Sequence, residues 1–381
     1  MTVIPSAPSG HSLADVMPSV AASLGADTVD SLGLAPTRDA VVVLIDGLGA
    51  ELIRDHADDA PTLSALTGRV ISAGFPATTA TSLTSLAVGA PCSQHGVMGY
   101  SFRLSPELGG AGAYFNPLRW TLDSSSGPSA IELHPPRTVQ TRRSVMELLA
   151  ADDVEVTYVM REDFRDSGLT RAAFRAEGVY RPASSLEELR GGILDAVGAP
   201  SRRRRFVYAY FADLDVIGHF HGPGSPQWRE SLREVDAFVT DLATDLPADC
   251  SLLLTADHGM VSAETVIDLD TLPELASDVE LVAGEARVRH AYARPGAQAD
   301  VLAAWRSVLG GRARVLTREQ ALDEKLFGAG SEHAARIGDV VAVATGGVVL
   351  VRSVSEPMES AMTGHHGANT PAEQHIPLLI R

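Results

Sequence analysis

Short apolar runs alternate along this chain with longer segments in which apolar residues recur at helical spacing. The run at 40–49, AVVVLIDGLG, is rich in β-branched residues and apolar on both faces, which is typical of a central parallel strand. Similar runs lie at 154–160, 205–215 and 250–259, and helical patterns lie at 142–152, 184–198 and 225–246. This order predicts an α/β fold with a doubly wound, mainly parallel sheet.

Two regions depart from this alternation. Residues 101–138 are rich in Gly, Ser and Pro, which indicates a long irregular excursion. From 264 to 350 the pattern shortens to a helix and several strand-like runs, two of which flank a Gly-Gly turn at 346–347. We therefore predict one core formed by residues 35–263 and 351–381, interrupted by a small α+β insertion or cap at 264–350.

Composition narrows the classes of partner and compartment. The 381 residues include 48 acidic and 31 basic side chains, which gives a formal net charge of −17. Nucleic acid polymers bind to clustered cations, so such a partner is not expected. The apolar runs are too short to span a membrane, and the first residues lack the pattern of a secretory signal. Because only Cys92 and Cys250 occur, we expect a reducing compartment, the cytoplasm, and no disulfide framework.

Acidic side chains follow three of the predicted strands. Asp46, Asp215 and Asp257 each come at or just beyond a strand end. Because ligands of open α/β sheets gather at the carboxyl ends of the strands, we expect these carboxylates to lie close together. Histidines that lie near them in sequence, or near the carboxyl terminus, are His219, His258 and the pair His365 and His366.

Each of these residues also has a simpler explanation. Asp46 before Gly47 fits a turn, and any single histidine fits a loop or a strand end more readily than a metal site. Clustered carboxylates, however, repel each other unless a cation neutralises them. Carboxylate oxygens and neutral imidazoles are the donors that suit zinc or a similar divalent ion. The set as a whole therefore predicts a site for two divalent metal ions.

The hydroxyl-rich stretch 75–89, FPATTATSLTSLAVG, predicts a helix. Its apolar residues recur at helical spacing, and Gly89 is suited to end the helix. Thr78 or Thr79 then forms the N-cap or the first turn. One interpretation is a plain hydroxyl cap. The alternative is a nucleophile, because a hydroxyl at a helix amino terminus lies where backbone N–H groups bind phosphate.

Together these segments resemble the alkaline phosphatase superfamily and, within it, the nucleotide pyrophosphatase/phosphodiesterase family. The resemblance rests on five blocks in the family's order: VVVLIDGLG, FPATTATSLTSLAVGAPCSQHGVMGY, DLDVIGHFHGPG, LLLTADHGM and TGHHGANTPAEQHIPLLI. It implies an alkaline phosphatase-like fold and two divalent ions, zinc by preference, with manganese or iron as alternatives. The implied ligands are Asp46, Thr79, Asp257 and His258 for one ion, and Asp215, His219 and His366 for the other.

The positions of glycines within the blocks decide between neighbouring candidate residues. Thr79 is preferred to Thr78 because the family's nucleophile precedes the glycine of that helix by ten residues, as Thr79 precedes Gly89. His366 is preferred to His365 because the family's ligand directly precedes a glycine.

The resemblance further implies a reaction on small-molecule phosphate esters. It predicts a two-metal hydrolase that cleaves phosphodiester or pyrophosphate bonds through a phosphothreonine intermediate on Thr79. Nucleotide-cleaving members commonly carry an aromatic residue beside the nucleophile, where this chain has Ala80. Tyr100 replaces an asparagine that holds the phosphoryl oxygen, and we expect it to donate a hydrogen bond there. The alternatives are a phosphomonoesterase or phosphonate hydrolase of the same superfamily, and a non-catalytic metal-binding α/β protein.

Overall fold

The computed structural model describes residues 9–66, 68–104, 114–124 and 126–381. The strands in these ranges are β1 (Asp39–Ile45), β2 (Gly68–Ser72), β3 (Phe102–Arg103), β4 (Tyr114–Asn116), β5 (Thr121–Leu122), β6 (Glu155–Met160), β7 (Val179–Pro182), β8 (Arg205–Phe211), β9 (Cys250–Thr255), β10 (Val261–Ser262), β11 (Thr265–Asp268), β12 (Val279–Glu285), β13 (Val288–Ala293), β14 (Ala313–Thr317), β15 (Val340–Ala344), β16 (Val348–Val351), β17 (Gly364–His365) and β18 (His375–Ile380).

The α-helices in the same ranges are α1 (Val16–Ser23), α2 (Ala50–Asp55), α3 (Pro61–Ala65), α4 (Thr79–Val88), α5 (Cys92–His95), α6 (Pro136–Val139), α7 (Val145–Ala151), α8 (Gly168–Ala173), α9 (Leu186–Gly198), α10 (Asp213–His221), α11 (Pro226–Asp245), α12 (Pro273–Ala276), α13 (Gln298–Leu309), α14 (Arg318–Asp323), α15 (Pro357–Ser360) and α16 (Pro371–Gln374). Over the described residues, none of these helices combines the length and the apolar character that crossing a membrane requires.

A seven-stranded sheet forms the centre of the molecule, in the order β2-β18-β9-β1-β8-β6-β7. Strand β1 is buried along its whole length and pairs in parallel with β8 on one side and β9 on the other. Strand β18 is antiparallel to both of its neighbours, β9 and β2. The predicted α/β fold with a mainly parallel sheet is therefore confirmed.

The helices begin and end where local chemistry favours it. Helix α11 starts after Ser225, whose hydroxyl accepts a hydrogen bond from the Trp228 backbone N–H at 3.2 Å, and Pro226 occupies its first turn. Its buried face, which includes Trp228, Leu232 and Val235, packs into the main core. The helical spacing of these apolar residues is the pattern that predicted this helix.

A second, four-stranded sheet lies within the predicted insertion, in the order β12-β13-β15-β14. Its two faces pack on different partners: Val341 and Val343 join the main core, whereas Val340 and Ala342 join a separate cluster with Trp305 of α13. The small sheet is thus sandwiched between the main core and α13. The proposed boundaries at 264 and 350 stay a prediction.

The two strand-like runs beside the turn at 346–347 lie in different sheets. Strand β15 pairs with β13 on one edge and with β14 on the other. Because both of its edges are occupied, the following strand β16 pairs in parallel with β11 instead.

The excursion at 101–138 is more ordered than predicted. Strands β3, β4 and β5 form a small antiparallel sheet, although residues 105–113 and 125 lie outside the described ranges. The rings of Phe102, Phe115 and Trp120 pack edge to face, and the Trp120 indole donates a hydrogen bond to the His134 carbonyl at 2.9 Å. These buried aromatic residues anchor a segment whose Gly, Ser and Pro content alone indicated irregular structure.

Candidate active site

The first group of candidate ligands lies at the carboxyl ends of β1 and β9. Asp46 directly follows β1, and Asp257 and His258 follow β9, its parallel neighbour. The His258 Nε2 atom lies 3.3 Å from Asp46 Oδ1 and 3.4 Å from Asp257 Oδ2. The backbone N–H groups of Gly47 and His258 donate to Asp257 Oδ1 at 3.1 and 3.0 Å, which orients that carboxylate. Parallel pairing therefore brings residues from distant blocks to one place.

The second group consists of Asp215, His219 and His366. Asp215 lies in the first turn of α10, and His219 lies four residues later on the same helical face, with its Nε2 atom 3.1 Å from Asp215 Oδ2. The His366 Nε2 atom lies 3.2 Å from His219 Nε2 and 4.0 Å from Asp215 Oδ1. The structure thus places the six carboxylate and imidazole candidates of the sequence in one of two groups.

The two groups adjoin each other. The rings of His258 and His366, which come from different groups, stack with centroids 3.6 Å apart and planes inclined by 15°. His365, the rejected neighbour of His366, points elsewhere, because its Nε2 atom hydrogen-bonds the Met362 carbonyl at 3.1 Å.

Backbone carbonyls orient the three imidazoles. In each ring the Nδ1 atom contacts a carbonyl oxygen, which can only accept, so Nδ1 carries the hydrogen and Nε2 is left for a metal. The contacts are His219 to Gly364 at 2.8 Å, His366 to Ala77 at 2.9 Å, and His258 to Gly259 at 3.1 Å. All three Nε2 atoms consequently face the carboxylates.

Each of the three carboxylates has one oxygen without a hydrogen-bond partner among the described residues. Asp46 Oδ1, Asp215 Oδ1 and Asp257 Oδ2 are buried and accept no hydrogen bond within the described ranges. Burial, together with the charges of Asp257 and Asp215, raises the pKa of Asp46, and burial also raises the pKa of Asp257. Three buried carboxylates with unpaired oxygens, beside three oriented imidazoles, are a donor set that fits two divalent cations.

The pKa values of the second group also indicate that a positive charge is favoured there. Although burial opposes it, the Asp215 carboxylate raises the pKa of His219 to about 9. In turn His219, with His366 and His258, lowers the pKa of Asp215 against the effect of burial. The His219 Nε2 atom lies 3.1 Å from Asp215 and 3.2 Å from His366, so a positive charge is favoured there, as a metal ion would supply it.

Thr79 is the hydroxyl that contacts the first group. Helix α4 begins at Thr79 after the N-cap Thr78, and it ends before Gly89, whose φ of 65° is left-handed. The Thr79 Oγ1 atom lies 3.3 Å from His258 Nε2. The first N–H groups of this ten-residue helix point to the same place, where they can bind an anion.

Two cavities of about 300 Å³ each meet at Thr79 and Asp215, and they also share Leu118, Arg119 and Val216. The first cavity has a largely apolar wall that includes Leu83, Met160, Phe164, Tyr208 and Tyr210. The second cavity is lined by residues that include Tyr100, Phe220, Glu285, Glu356, Glu359 and Met362. The excursion at 101–138 thus contributes Leu118 and Arg119, and the predicted insertion contributes Glu285.

Three residues of the site were not singled out by sequence reasoning. The Tyr210 hydroxyl donates a hydrogen bond to Asp46 Oδ2, and Arg119 borders both cavities. Glu285 is buried in the wall of the second cavity, and burial raises its pKa to about 8. Only Tyr210 had a signal, because its register opposite Leu44 places it beside Asp46 once β1 and β8 are paired.

Tyr100 lies in the second cavity, as a phosphoryl-binding residue requires, and its hydroxyl donates a hydrogen bond to Glu359 Oε1 at 2.8 Å. A contact between Tyr100 and the phosphoryl group stays a prediction.

The large mainly parallel sheet and the two ligand groups at its carboxyl edge define an alkaline phosphatase-like protein. Residues 40–369 match the family model described as type I phosphodiesterase/nucleotide pyrophosphatase, and the chain belongs to this family. The resemblance found in the five sequence blocks is thereby confirmed.

Curated relatives match over part of their length. Human ectonucleotide pyrophosphatase/phosphodiesterase family member 7 is 32% identical over 104 residues, which are 26% of this chain and 22% of that protein. An uncharacterized pyrophosphatase/phosphodiesterase of Schizosaccharomyces pombe is 29% identical over 114 residues, 26% of this chain and 24% of the relative. The matches thus span about a quarter of each relative.

Solved structures share the fold over most of the chain. Murine ectonucleotide pyrophosphatase/phosphodiesterase 5 has a TM-score of 0.70 at 19% identity, over 90% of this chain and 88% of that chain. An inactive variant of the same protein, in complex with AMP, has a TM-score of 0.69 at 18% identity, over 90% and 87%. Phosphonoacetate hydrolase from Sinorhizobium meliloti 1021, in complex with phosphonoformate, has a TM-score of 0.64 at 18% identity, over 90% of both chains.

Proposed function

We propose that this chain is a two-metal hydrolase that cleaves phosphodiester or pyrophosphate bonds of small-molecule phosphate esters through a phosphothreonine intermediate on Thr79. One observation carries the proposal. The Thr79 Oγ1 atom lies at the amino terminus of α4, 3.3 Å from His258 Nε2, where both cavities meet. A hydroxyl in that position can reach a phosphorus atom held by the helix N–H groups.

The ligand groups suit one divalent ion each. Asp46, Asp257 and His258, joined by Thr79, would hold one ion, and Asp215, His219 and His366 would hold the other. We propose zinc, because mixed carboxylate and imidazole donors are typical of catalytic zinc sites. When bound, the ions supply positive charge that lowers the pKa of a coordinated hydroxyl and offsets the charge developing on the phosphoryl group.

The residues of the chain would then act in two steps. In the first, Thr79 Oγ1 loses its proton to solvent and attacks phosphorus, so that a Thr79 oxygen–phosphorus bond forms while the bond to the leaving oxygen breaks. The N–H groups of the first turn of α4 donate to the phosphoryl oxygens. In the second step water attacks the phosphothreonine, the Thr79 oxygen–phosphorus bond breaks, and the threonine hydroxyl is restored.

The paired cavities favour a diester or pyrophosphate over a monoester. A phosphorus atom at Thr79 with two substituents directs one of them into each cavity, and each cavity of about 300 Å³ can hold a small organic group. A monoester would leave one cavity unused. The two cavities therefore favour a phosphodiesterase over the monoesterase alternative within the superfamily.

The deciding experiment is Thr79→Ala assayed with bis-p-nitrophenyl phosphate. We expect the rate to fall by at least about 10³-fold, because the nucleophile is lost, while elemental analysis still finds metal. Ser82→Ala is the matched control, since Ser82 lies one turn further along α4, outside the lining of both cavities, and its buried hydroxyl has no described hydrogen-bond partner.

The control variant should keep the wild-type rate. Near-normal turnover by Thr79→Ala would remove Thr79 from the mechanism, and full activity of a metal-free preparation would remove the ions. A higher kcat/KM for p-nitrophenyl phosphate than for the diester would favour the monoesterase alternative.

A further inference from the structure

Glu285 in the second cavity is a buried acid with an unused acceptor. The residue is 8% exposed, and its Oε1 atom is buried without a hydrogen-bond partner among the residues that the structure describes. The Glu285 carboxyl group has a side-chain hydrogen bond with Thr78, the residue before the proposed nucleophile. A buried carboxylate oxygen without a donor is costly, so its retention in a substrate cavity indicates a ligand group that donates to it.

Two glycines leave space for this carboxyl group. Glu285 ends β12, where it pairs with Val288, and its side chain leaves the small sheet toward Gly99 and Gly367. A Cβ atom on Gly367 would lie 3.0 Å from Glu285 Oε1, and one on Gly99 would lie 3.8 Å away. Both glycines have left-handed φ values, of 132° and 131°. Glycine at 367 therefore leaves the space that holds the carboxyl group beside the ligand His366.

Among the residues that the structure describes, no arginine or lysine forms an ion pair with Glu285, although the charges of Arg289 and His219 act to lower its pKa. The nearby Glu356 is paired with Arg289 at 2.8 Å, and that guanidinium also donates to the Leu350 carbonyl at 2.8 Å. The remaining arginine of the lining, Arg119, is exposed at the border between the two cavities. The carboxyl groups of Glu285, Glu356 and Glu359 line the second cavity, and a cationic substituent can approach them there.

We propose that Glu285 binds a primary ammonium group of the substrate, so that the enzyme prefers phosphodiesters of amino alcohols. This inference rests on the proposed function. An ammonium N–H supplies both the donor that Oε1 lacks and the charge that a buried carboxylate needs. A quaternary ammonium group supplies only the charge, and a neutral alkyl group supplies neither. Tyr100 and Phe220 line the same cavity, and their rings are a further favourable surface for a cation.

The test compares 2-aminoethyl and n-propyl p-nitrophenyl phosphodiesters, which are similar in length and differ in the ammonium group. We expect the metal-loaded wild-type enzyme to have a kcat/KM about 10- to 100-fold higher for the aminoethyl ester. Glu285→Gln should bring this ratio close to one. Glu280→Gln, an exposed change on the same strand, should keep the wild-type ratio.

Several outcomes would overturn the inference. Equal wild-type rates for the two esters would do so without any variant, and so would an unchanged preference in folded Glu285→Gln. A trimethylammonium ester cleaved as fast as the aminoethyl ester would remove the argument for an N–H donor. If the propyl ester is cleaved in a Thr79-dependent reaction but no preference appears, only this inference fails. If neither ester is cleaved, the proposed function fails with it.

Discussion

Two regions of this molecule bury charged side chains, and they treat them in opposite ways. Next to the small sheet, Arg287 in the turn between β12 and β13 and Glu373 of α16 are both 0% exposed and lie 2.8 Å apart, and Arg289 of β13 forms a second buried pair with Glu356. At the carboxyl edge of the main sheet, the buried carboxylates of Asp46 and Asp257 carry the same sign of charge, whereas Asp215 contacts His219 at 3.1 Å. Pairing within the chain indicates a structural role, whereas buried like charges indicate that something outside the chain must complete the site.

The contacts of the paired set explain what those charges do. Arg287 donates through Nε and Nη2 to the two oxygens of Glu373 at 2.9 and 2.8 Å. Glu373 also accepts from the Ala368 backbone N–H and the Thr370 hydroxyl. The pair therefore connects the turn between β12 and β13 to the segment that follows the candidate ligand His366. It is fully hydrogen-bonded and leaves no acceptor for a ligand.

The largest expected change in stability comes from breaking this pair. Arg287→Met should lower the free energy of unfolding by about 3–5 kcal/mol, because Glu373 is left buried without its partner. Urea denaturation of the metal-loaded protein measures the effect. The double variant Arg287→Met with Glu373→Leu should recover part of the loss, since it removes the stranded charge. A loss below about 1 kcal/mol in the single variant would mean that the pair is not a structural tie.

Removing the charge of an unpaired carboxylate should stabilise the protein when no metal is present, whereas breaking the Arg287–Glu373 pair destabilises it. Burial and the charges of Asp257 and Asp215 raise the pKa of Asp46, so the ionised carboxylate destabilises the metal-free fold at pH 7. Asp46→Asn should then raise the melting temperature in EDTA, by the equivalent of roughly 1–3 kcal/mol, and abolish much of the rise that zinc gives the wild type. Destabilisation of the variant in EDTA would show that these carboxylates are compensated within the chain.

Glu285 should affect the pH dependence of stability in the metal-free protein. Burial raises its pKa to about 8, so between the unfolded value and pH 8 the folded chain holds a proton that the unfolded chain has lost. Stability therefore falls as pH rises through this window, by up to about 1.4 kcal/mol per pH unit from this group. Glu285→Gln should remove that share of the slope in metal-free protein. If the free energies of unfolding of wild type and variant change in parallel from pH 5 to 8, the charge of Glu285 is compensated within the chain.

The elements that could be predicted from the sequence are those governed by local pattern. Strand β1 is a continuous apolar run because it is buried on both faces, and the acids that follow β1 and β9 converge because parallel strands end at the same edge. Helix α4 could be placed because Gly89 adopts the left-handed conformation that glycine accommodates. These signals need no knowledge of long-range packing.

The rest of the site depends on packing that local pattern does not encode. Glu285 lies among ordinary strand residues, and only the docking of the small sheet on the main core brings it to the cavity. The pairing of β16 with β11 likewise depends on both edges of β15 being occupied elsewhere. Arg119 lies in the turn between β4 and β5 and lines the same cavity as Thr79. The next residue, Trp120, is fully buried and anchors this turn.

Strand β18 has a consequence for the order in which the protein is made. It joins β2 to β9, and it follows His366, which completes the second ligand group. A nascent chain that has emerged from the ribosome only as far as α13 already carries six of the seven ligand candidates but neither the last imidazole nor the strand that closes the sheet. If His366 completes the second metal site as proposed, translation products that end before His366 should therefore be devoid of activity.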